Sequence, residues 1–167
     1  MVDDPLIMMI DITKNVCYNI RKEIDMDSKH YNGALSEMKA ALWYLEQGCT
    51  IFWPTLTQAS CDFIALYPDG TPVRVQVKSA YWITRPTGRK YLMVTTRRGC
   101  GGEGYKTYTK EHCDDIFIVS DDRMWLIPVE VLSGAQSICL DKGQDVRSRS
   151  NKRSFNAEEY EIGTNSC

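Results

Sequence analysis

The feature that most constrains the fold of this chain is the turn sequence PDG at residues 68–70, which joins two strand-like runs. In such a turn proline fixes φ, aspartate hydrogen-bonds its own backbone and glycine takes the left-handed conformation. The second run, TPVRVQVKSAY, alternates apolar and polar side chains, which places Gln76 and Lys78 on the face opposite the valines. The sequence therefore predicts an antiparallel hairpin of two strands, 61–67 and 71–81, with one polar face.

The open end of this hairpin is a candidate site. Asp62 lies at the end of the first strand that is remote from the turn, as Lys78 does in the second. A hairpin brings those ends together, so Asp62, Gln76 and Lys78 are predicted to converge. Carboxylate and amide oxygens beside an ammonium suit a site that holds a metal ion and a phosphate. Alone, this alternation is more typical of a half-buried strand with a solvated face, so the prediction depends on residues upstream.

A helix upstream supplies the next candidate. It is predicted to begin at the N-cap Asn32 and to end at Gly48. Glu37 lies in its first turn, with the small residues Ala40 and Ala41 as neighbours that leave the carboxylate reachable. Taken alone, such a glutamate is more typical of a residue that complements the helix dipole. Apolar residues at spacings of three and four predict the buried stripe of this helix: Leu35, Met38, Leu42, Leu45 and Cys49.

The other predicted elements are short. Four strands and one helical turn are expected at 50–56, 91–96, 116–120, 124–127 and 128–132. Pro54 confines the first of these strands to an edge or a bulge. Gly99, Gly101 and Gly104 match a GxGxxG pattern, but no amphipathic helix follows to seat a pyrophosphate. The glycines are therefore interpreted as a mobile basic loop, and no nucleotide cofactor is expected.

Three regions are predicted along the 167 residues. Residues 32–134 are interpreted as the core domain and residues 135–167 as a basic C-terminal segment. Residues 1–31 are interpreted as a helical extension, because apolar residues recur there every four positions, at Ile12, Val16, Ile20 and Ile24.

Composition narrows the class of protein. The seven cysteines form no CxxC pair and only two histidines accompany them, so reduced thiols are expected rather than a zinc module. No apolar run approaches the ~20 residues that a membrane span needs, and the start lacks a signal pattern. A cytoplasmic protein without a membrane partner is expected.

The net charge of −2 conceals an uneven distribution. Residues 71–110 carry nine Lys or Arg against one acid, residues 142–153 carry five against one, and residues 111–141 carry one against seven. Positive blocks that include or follow the polar-faced strand favour a polyanionic partner such as nucleic acid. The predicted DNA-binding residues are Arg85, Arg89, Lys90, Arg97, Arg98, Lys106, Arg147, Arg149, Lys152 and Arg153.

The order of the candidate residues resembles a known pattern. Glu37 on a helix, Asp62 on a strand and a Gln-x-Lys motif on its hairpin partner are similar to the PD-(D/E)xK nuclease superfamily. The glutamine in place of the second acid, and the sequence QVKSAYW, resemble the intron-associated homing endonucleases of that fold. The likeness covers about residues 30–132. Cys61 stands where the pattern has proline, and Gln76 where it more often has a carboxylate.

This resemblance implies a restriction-endonuclease-like α/β fold, with a mixed β-sheet flanked by helices. It also implies Mg²⁺-dependent hydrolysis of phosphodiester bonds in double-stranded DNA by a site-specific homing enzyme in a bacterial or phage-infected cell. Lys78 would stabilise charge on the phosphate. The metal ligands would be Asp62, the Gln76 amide oxygen and the Val77 carbonyl, with assistance from Glu37. The implied catalytic residues are Glu37, Asp62, Gln76 and Lys78.

Three alternatives stay open. The chain could be a Holliday-junction resolvase of the same fold, a catalytically silent DNA-binding protein, or a non-nuclease domain in which these residues coincide. For a homing enzyme, a double-strand break requires two sites that face the two strands, so a homodimer or tetramer is predicted. Its candidate contacts are the N-terminal stripe and the apolar hairpin near Trp125.

Overall fold

The computed structural model describes residues 28–56, 59–99, 104–132, 134–141 and 155–163. Contacts group the chain into two units, residues 1–34 and 35–167. Within the described ranges there is one α-helix, α1 (Ser28–Glu46), and the strands are β1 (Thr50–Phe52), β2 (Phe63–Leu66), β3 (Pro72–Ser79), β4 (Tyr81–Thr84), β5 (Lys90–Thr95), β6 (Arg97–Gly99), β7 (Tyr105–Thr107), β8 (Asp115–Val119), β9 (Met124–Pro128), β10 (Ser137–Cys139) and β11 (Glu161–Ile162). Two 3₁₀ helices are present, η1 (Val129–Leu132) and η2 (Ala157–Tyr160).

The principal sheet has six strands in the order β1-β2-β3-β8-β9-β11. Its strands pair antiparallel, except that β3 and β8 run parallel from the pair Val75–Asp115 to the pair Ser79–Val119. A second sheet has the order β10-β5-β4, and β6 pairs with β7 as a two-stranded ribbon. A mixed sheet with a helix confirms the predicted α/β class, although the described residues contain little helix.

The predicted hairpin is confirmed in β2 and β3. The Asp69 side chain accepts a hydrogen bond of 2.8 Å from the Thr71 N–H, and Gly70 has a φ of +86°. Pairing begins at Phe63 opposite Val75. The predicted strand 71–81 divides in two, because the chain leaves the principal sheet after Ser79 and enters the second sheet as β4.

Strand β8 is buried on both faces, as expected for a central strand with a parallel neighbour. Phe117 packs in a cluster with Tyr44 of α1, whereas Ile116 and Ile118 pack in a second cluster with Trp125. Trp125 is fully buried within its own domain. The hairpin near Trp125 was a candidate contact between subunits; the core of one chain already covers the Trp125 side chain, and the contact itself stays a prediction.

The predicted N-cap and buried stripe of α1 are wrong. Asn32 lies inside the helix. The buried face is formed by small residues and one tyrosine: Ser36, Ala40, Ala41 and Tyr44. Small side chains let the helix backbone approach the sheet closely, which turns the leucines outward. The exposed fractions are 44% for Leu35, 61% for Met38, 57% for Leu42 and 52% for Leu45, and only Cys49 of the predicted stripe is buried.

The C-terminal stop of α1 is confirmed. Gly48 has a φ of +80°, its N–H bonds to the Leu45 carbonyl at 2.9 Å, and the Cys49 N–H bonds to the Tyr44 carbonyl at 3.0 Å. These two bonds satisfy carbonyls that the helix end leaves unpaired. The edge position predicted for the first strand is confirmed as well, since β1 is the outermost strand of its sheet.

Several predictions fall beyond the described residues, namely the N-terminal apolar stripe and the basic residues Arg147, Arg149, Lys152 and Arg153. In the predicted C-terminal segment, β10 pairs with β5 and β11 pairs with β9. The boundaries at residues 31 and 134 stay a prediction. Among the residues placed by the structure, no helix is long and apolar enough to cross a membrane, and the described cysteines are buried free thiols.

The two faces of α1 should differ in their contribution to stability. We expect Tyr44→Ala to lower the free energy of unfolding by about 3–5 kcal/mol, because a fully buried aromatic ring is lost from the core. Leu42→Ala, two residues away on the exposed face, should cost less than about 1 kcal/mol. Urea denaturation of both variants measures the difference, and equal losses would contradict this orientation of the helix.

Candidate active site

Asp62 is fixed where the pairing of β2 with β3 ends. Its backbone N–H bonds to the Val75 carbonyl at 2.9 Å, and its Oδ2 accepts a hydrogen bond of 2.6 Å from the Val77 N–H. The Gln76 amide also donates to the same oxygen. The side chain thus takes the place of a backbone acceptor in the ladder. No described residue donates to the other oxygen, Oδ1, so that oxygen is available to a ligand.

Gln76 is 7% exposed and presents Nε2 to Asp62. The same nitrogen lies 3.4 Å from the Val77 carbonyl oxygen. The amide therefore acts as a donor in this arrangement, whereas the predicted metal ligand was its oxygen. A half-turn of the terminal amide exchanges the two atoms without changing the shape of the side chain. The role of Gln76 as an oxygen ligand stays a prediction.

Glu37 and Lys78 lie near Asp62. Burial raises the pKa of Glu37, the negative charge of Asp62 raises it further, and the positive charge of Lys78 lowers it. Burial likewise raises the pKa of Asp62, against the Val77 hydrogen bond and the Lys78 charge, which lower it. The structure therefore brings all four predicted residues together, with two carboxylates whose charged forms are disfavoured.

A hydrogen bond that the sequence did not predict joins the helix to the strand beside this cluster. The hydroxyl oxygens of Ser36 and Ser79 are 2.8 Å apart, and Ser36 is buried. These serines are the chain neighbours of Glu37 and Lys78, so the bond holds the two elements in register at the site. No periodicity or motif in the sequence predicts this contact, because the two serines are 43 positions apart.

The donor set fits a hard divalent cation. Two carboxylates, an amide and a backbone carbonyl offer oxygen atoms, which Mg²⁺ prefers, and few protein ligands leave room for the waters that it retains. A bound cation would also offset the burial and the negative charge of Asp62, which together raise the pKa of Glu37. In the described ranges no group of three or more His, Cys, Asp or Glu side chains could hold a metal ion. The set is therefore sparse, and it does not suit zinc.

Comparison with known proteins assigns the family. Residues 26–162 match the PD-(D/E)XK endonuclease family. This chain belongs to the PD-(D/E)XK endonuclease family. Protein 5.3 of Escherichia phage T7 is 30% identical over 118 residues, which are 70% of this chain and 94% of the phage protein. The solved structure of the bacterial homing endonuclease I-Ssp6803I is similar in fold, with a TM-score of 0.61 and 22% identity over 80% of this chain and 88% of that chain.

Family membership confirms the resemblance to the PD-(D/E)xK nucleases that the sequence indicated. It also confirms the restriction-endonuclease-like fold. The protein is accordingly a nuclease that acts on DNA, and its family generally uses divalent metal ions. At 22% identity the likeness to the homing endonuclease shows the fold alone.

The basic residues of the endonuclease lie mostly on its smaller sheets. Arg85 and Arg89 flank the turn between β4 and β5, with their guanidinium groups 5.0 and 5.4 Å from the centre of the Tyr91 ring. Arg97 of β6 stacks on the Tyr105 ring of β7 at 3.7 Å. Two further predicted residues, Lys90 and Lys106, are exposed. The three arginines are held by aromatic rings, which leaves their hydrogen-bond donors available to phosphates.

Arg98 differs from these residues. It is half-buried, and its Nε atom makes no hydrogen bond with the described part of the chain. A buried donor without a partner costs free energy. A phosphate oxygen that reached this atom would remove that cost.

Other charges of the positive block are neutralised within the chain. Arg74 of β3 forms a two-pronged pair with the Asp114 carboxylate at 2.9 and 3.0 Å and also donates to the Glu111 carbonyl at 3.1 Å. Lys110 pairs with Glu130 at 2.9 Å. Counting charges along the sequence could not show these pairings, so the count overstates the positive charge that faces a ligand.

Removal of one charge from the site should abolish cleavage. We expect Asp62→Asn to lower the cleavage rate about a hundredfold or more, because asparagine keeps the acceptor for the Val77 N–H but loses the negative charge. Lys78→Met should do the same, since it keeps the length of the side chain without the ammonium. DNA binding, measured by fluorescence anisotropy, should persist in both variants.

The matched control is Asp69→Asn in the turn of the same hairpin, where the carboxylate is exposed and remote from the site. Cleavage by this variant should equal that of the parent. Full cleavage by Asp62→Asn would contradict the assignment of the site.

Proposed function

We propose that this endonuclease hydrolyses phosphodiester bonds at specific sites in double-stranded DNA, that it requires Mg²⁺, and that it acts as a homing endonuclease. The observation that supports this proposal best is the convergence of two carboxylates, an amide and an ammonium at the open end of the β2–β3 hairpin.

Each residue has a distinct task in this proposal. Asp62 would hold the metal with the Val77 carbonyl and the Gln76 amide oxygen, and Glu37 would complete the negative side of the site. Bound Mg²⁺ supplies a Lewis acid for the phosphate and lowers the pKa of a water molecule. The Lys78 ammonium would lie against the phosphate and stabilise the negative charge that develops there. The hydrogen bond from the Val77 N–H keeps Asp62 from rotating as DNA enters.

Double-stranded DNA is favoured as the substrate by the shape of the basic elements. The β4–β5 hairpin carries Arg85 and Arg89 at its turn, beside an exposed Trp82. The tip of this hairpin extends beyond β10, which pairs with β5 only at residues 93–95, and a two-stranded tip has the dimensions to enter the major groove of B-DNA. The arginines at the turn of the β4–β5 hairpin would contact phosphates, and the other side chains of its tip would face base edges. A Holliday-junction resolvase remains the second candidate, because the same charges suit branched DNA.

We also propose a homodimer, or a tetramer built from two dimers, as the active form. The described residues of one chain form one such cluster, and one cluster cuts one strand at a time. A double-strand break therefore needs two clusters related by a near two-fold axis. The structural relative named above is a homing endonuclease, which favours this activity over nicking.

The decisive experiment compares substrates with and without Mg²⁺. Supercoiled plasmids that carry a library of genomic fragments, and a synthetic four-way junction, would be incubated with the full chain and with Asp62→Asn. We expect linear product from the plasmids in Mg²⁺ only, with sequenced ends that cluster at one site, and no product with the variant. Light scattering should give at least twice the mass of one chain.

Other outcomes would each contradict part of the proposal. Preferential cutting of the junction would favour a resolvase. Nicked circles from a monomer would favour a repair enzyme that cuts one strand. Binding without cleavage in Mg²⁺ or Mn²⁺ would favour a silent DNA-binding protein.

The salt dependence of DNA binding should report the phosphate contacts made by the β4–β5 hairpin. Each phosphate contact contributes about 0.9 to the slope of log affinity against log salt concentration. The double change Arg85→Gln and Arg89→Gln should therefore reduce that slope by about 1.8 and weaken binding to all sequences alike. Anisotropy titrations between low and physiological salt measure the slope.

Arg123→Gln is the matched control for this measurement. Its guanidinium already pairs with the Glu161 carboxylate at 2.6 Å, on a hairpin of the principal sheet. The slope should stay unchanged in this variant. An unchanged slope in the Arg85 and Arg89 double variant as well would place the β4–β5 hairpin off the DNA.

A further inference from the structure

The Lys78 ammonium makes a cation–π contact with the Tyr108 ring. The Lys78 Nζ atom lies 5.1 Å from the centre of the Tyr108 ring, over its face. Across the described residues, Lys78 makes no hydrogen bond or ion pair through Nζ. The two carboxylates act on this lysine only through longer-range attraction. The aromatic face is therefore the contact that fixes where the ammonium lies.

A lysine in a site that binds phosphate needs such a contact. Its side chain has four rotatable bonds, and the free ammonium is a compact, strongly hydrated charge. Without a fixed partner it would occupy many rotamers, few of which reach the phosphate. An aromatic face attracts a cation through the ring quadrupole and, unlike a carboxylate, does not neutralise it. The full charge thus stays available to the substrate.

The Tyr108 ring is itself held by its neighbours. The His112 ring meets it edge-on, with centroids 6.4 Å apart and an interplanar angle of 85°. His112 Nδ1 lies 3.2 Å from the Thr109 nitrogen and 2.8 Å from its hydroxyl oxygen, which closes the loop on itself. The pair between Arg74 and Asp114 then ties the end of this loop to β3. The loop that carries the ring is therefore attached to the strand that carries Lys78, at Arg74, four residues before the lysine.

We propose that Tyr108 is a positioning residue for the nuclease reaction, whose ring face holds the Lys78 ammonium beside Asp62 and Glu37 so that it meets the scissile phosphate. This inference rests on the proposed function, in which Lys78 stabilises charge on the phosphate. The ring face carries the effect, and the hydroxyl group takes no part in it.

The test is a series in which the ring keeps its size while its face loses electron density. Tyr108 is replaced by Phe and then by Phe with one, two and three fluorine atoms, introduced by suppression of a stop codon. We expect Tyr108→Phe to cleave like the parent, and kcat to fall stepwise with fluorination by on the order of tenfold in total. KM for DNA should change less than twofold, because DNA binding relies on other residues.

The same series at Tyr160 is the matched control. That ring stacks on Phe155, with centroids 5.6 Å apart and an interplanar angle of 8°, and it lies in η2, outside the site. We expect kcat to stay constant across the Tyr160 series. A flat kcat across the Tyr108 series would overturn the proposal, since the ring would then serve only as packing. A large loss in Tyr108→Phe would overturn it too, because the hydroxyl would then be the active part.

A readout independent of activity separates this inference from the proposed function. A proton above a ring face shifts upfield in the NMR spectrum, so the Lys78 ε-methylene protons should lie upfield of the other lysines. The shift should persist in Tyr108→Phe and disappear in Tyr108→Leu. No upfield shift in the parent would refute the contact itself. Full cleavage by Lys78→Met would instead refute the role of the lysine, whatever the NMR result.

Discussion

The hydrogen bond from the Val77 N–H to the Asp62 carboxylate is the contact on which the site depends. Pairing between β2 and β3 starts only at Phe63, so β3 continues past its partner with a buried backbone donor that needs an acceptor. A buried N–H without a partner costs free energy comparable to a lost hydrogen bond. The side chain of Asp62 satisfies this donor, and the same carboxylate is the negative group of the site. The requirement of the sheet and the proposed requirement of the chemistry are therefore met by one residue, Asp62, whose partly buried carboxylate has a raised pKa.

Strand β3 connects the separate parts of the molecule. It pairs with β2 on one side and with β8 on the other, and its end leads into β4 of the second sheet. Its Arg74 side chain fastens the loop before β8, and its Ser79 hydroxyl contacts α1. The positively charged side chains on β3 and the elements that follow it fall into two groups. Some cations serve the internal structure, as Arg74 does with Asp114, while those on the β4–β5 hairpin face outward.

Local patterns predicted the local structure well. The PDG turn predicted the hairpin, because its three residues fix the backbone independently of the rest of the chain. Residues that the hairpin brings together, such as Asp62 and Lys78, could therefore be predicted to converge. The orientation of α1 could not, because periodicity finds the apolar face but not the face that fits closely against a sheet, and here Ala40 and Ala41 decided the packing. The contact of Lys78 with Tyr108 joins residues 30 positions apart through a ring face, for which no sequence pattern exists.

The central place of β3 also has a consequence for motion. A strand with neighbours on both sides exchanges its amide hydrogens only when the whole sheet comes apart, whereas an outer hairpin can open by itself. The amides around Val75 and Val77 should therefore belong to the slowest-exchanging set of the protein, and those at the tip of the β4–β5 hairpin, beyond the strand β10 that pairs with β5, to a faster one. The endonuclease thus combines a firmly held strand at the candidate site with a hairpin tip that can open by itself, and the single residue Ala80 joins β3 to β4.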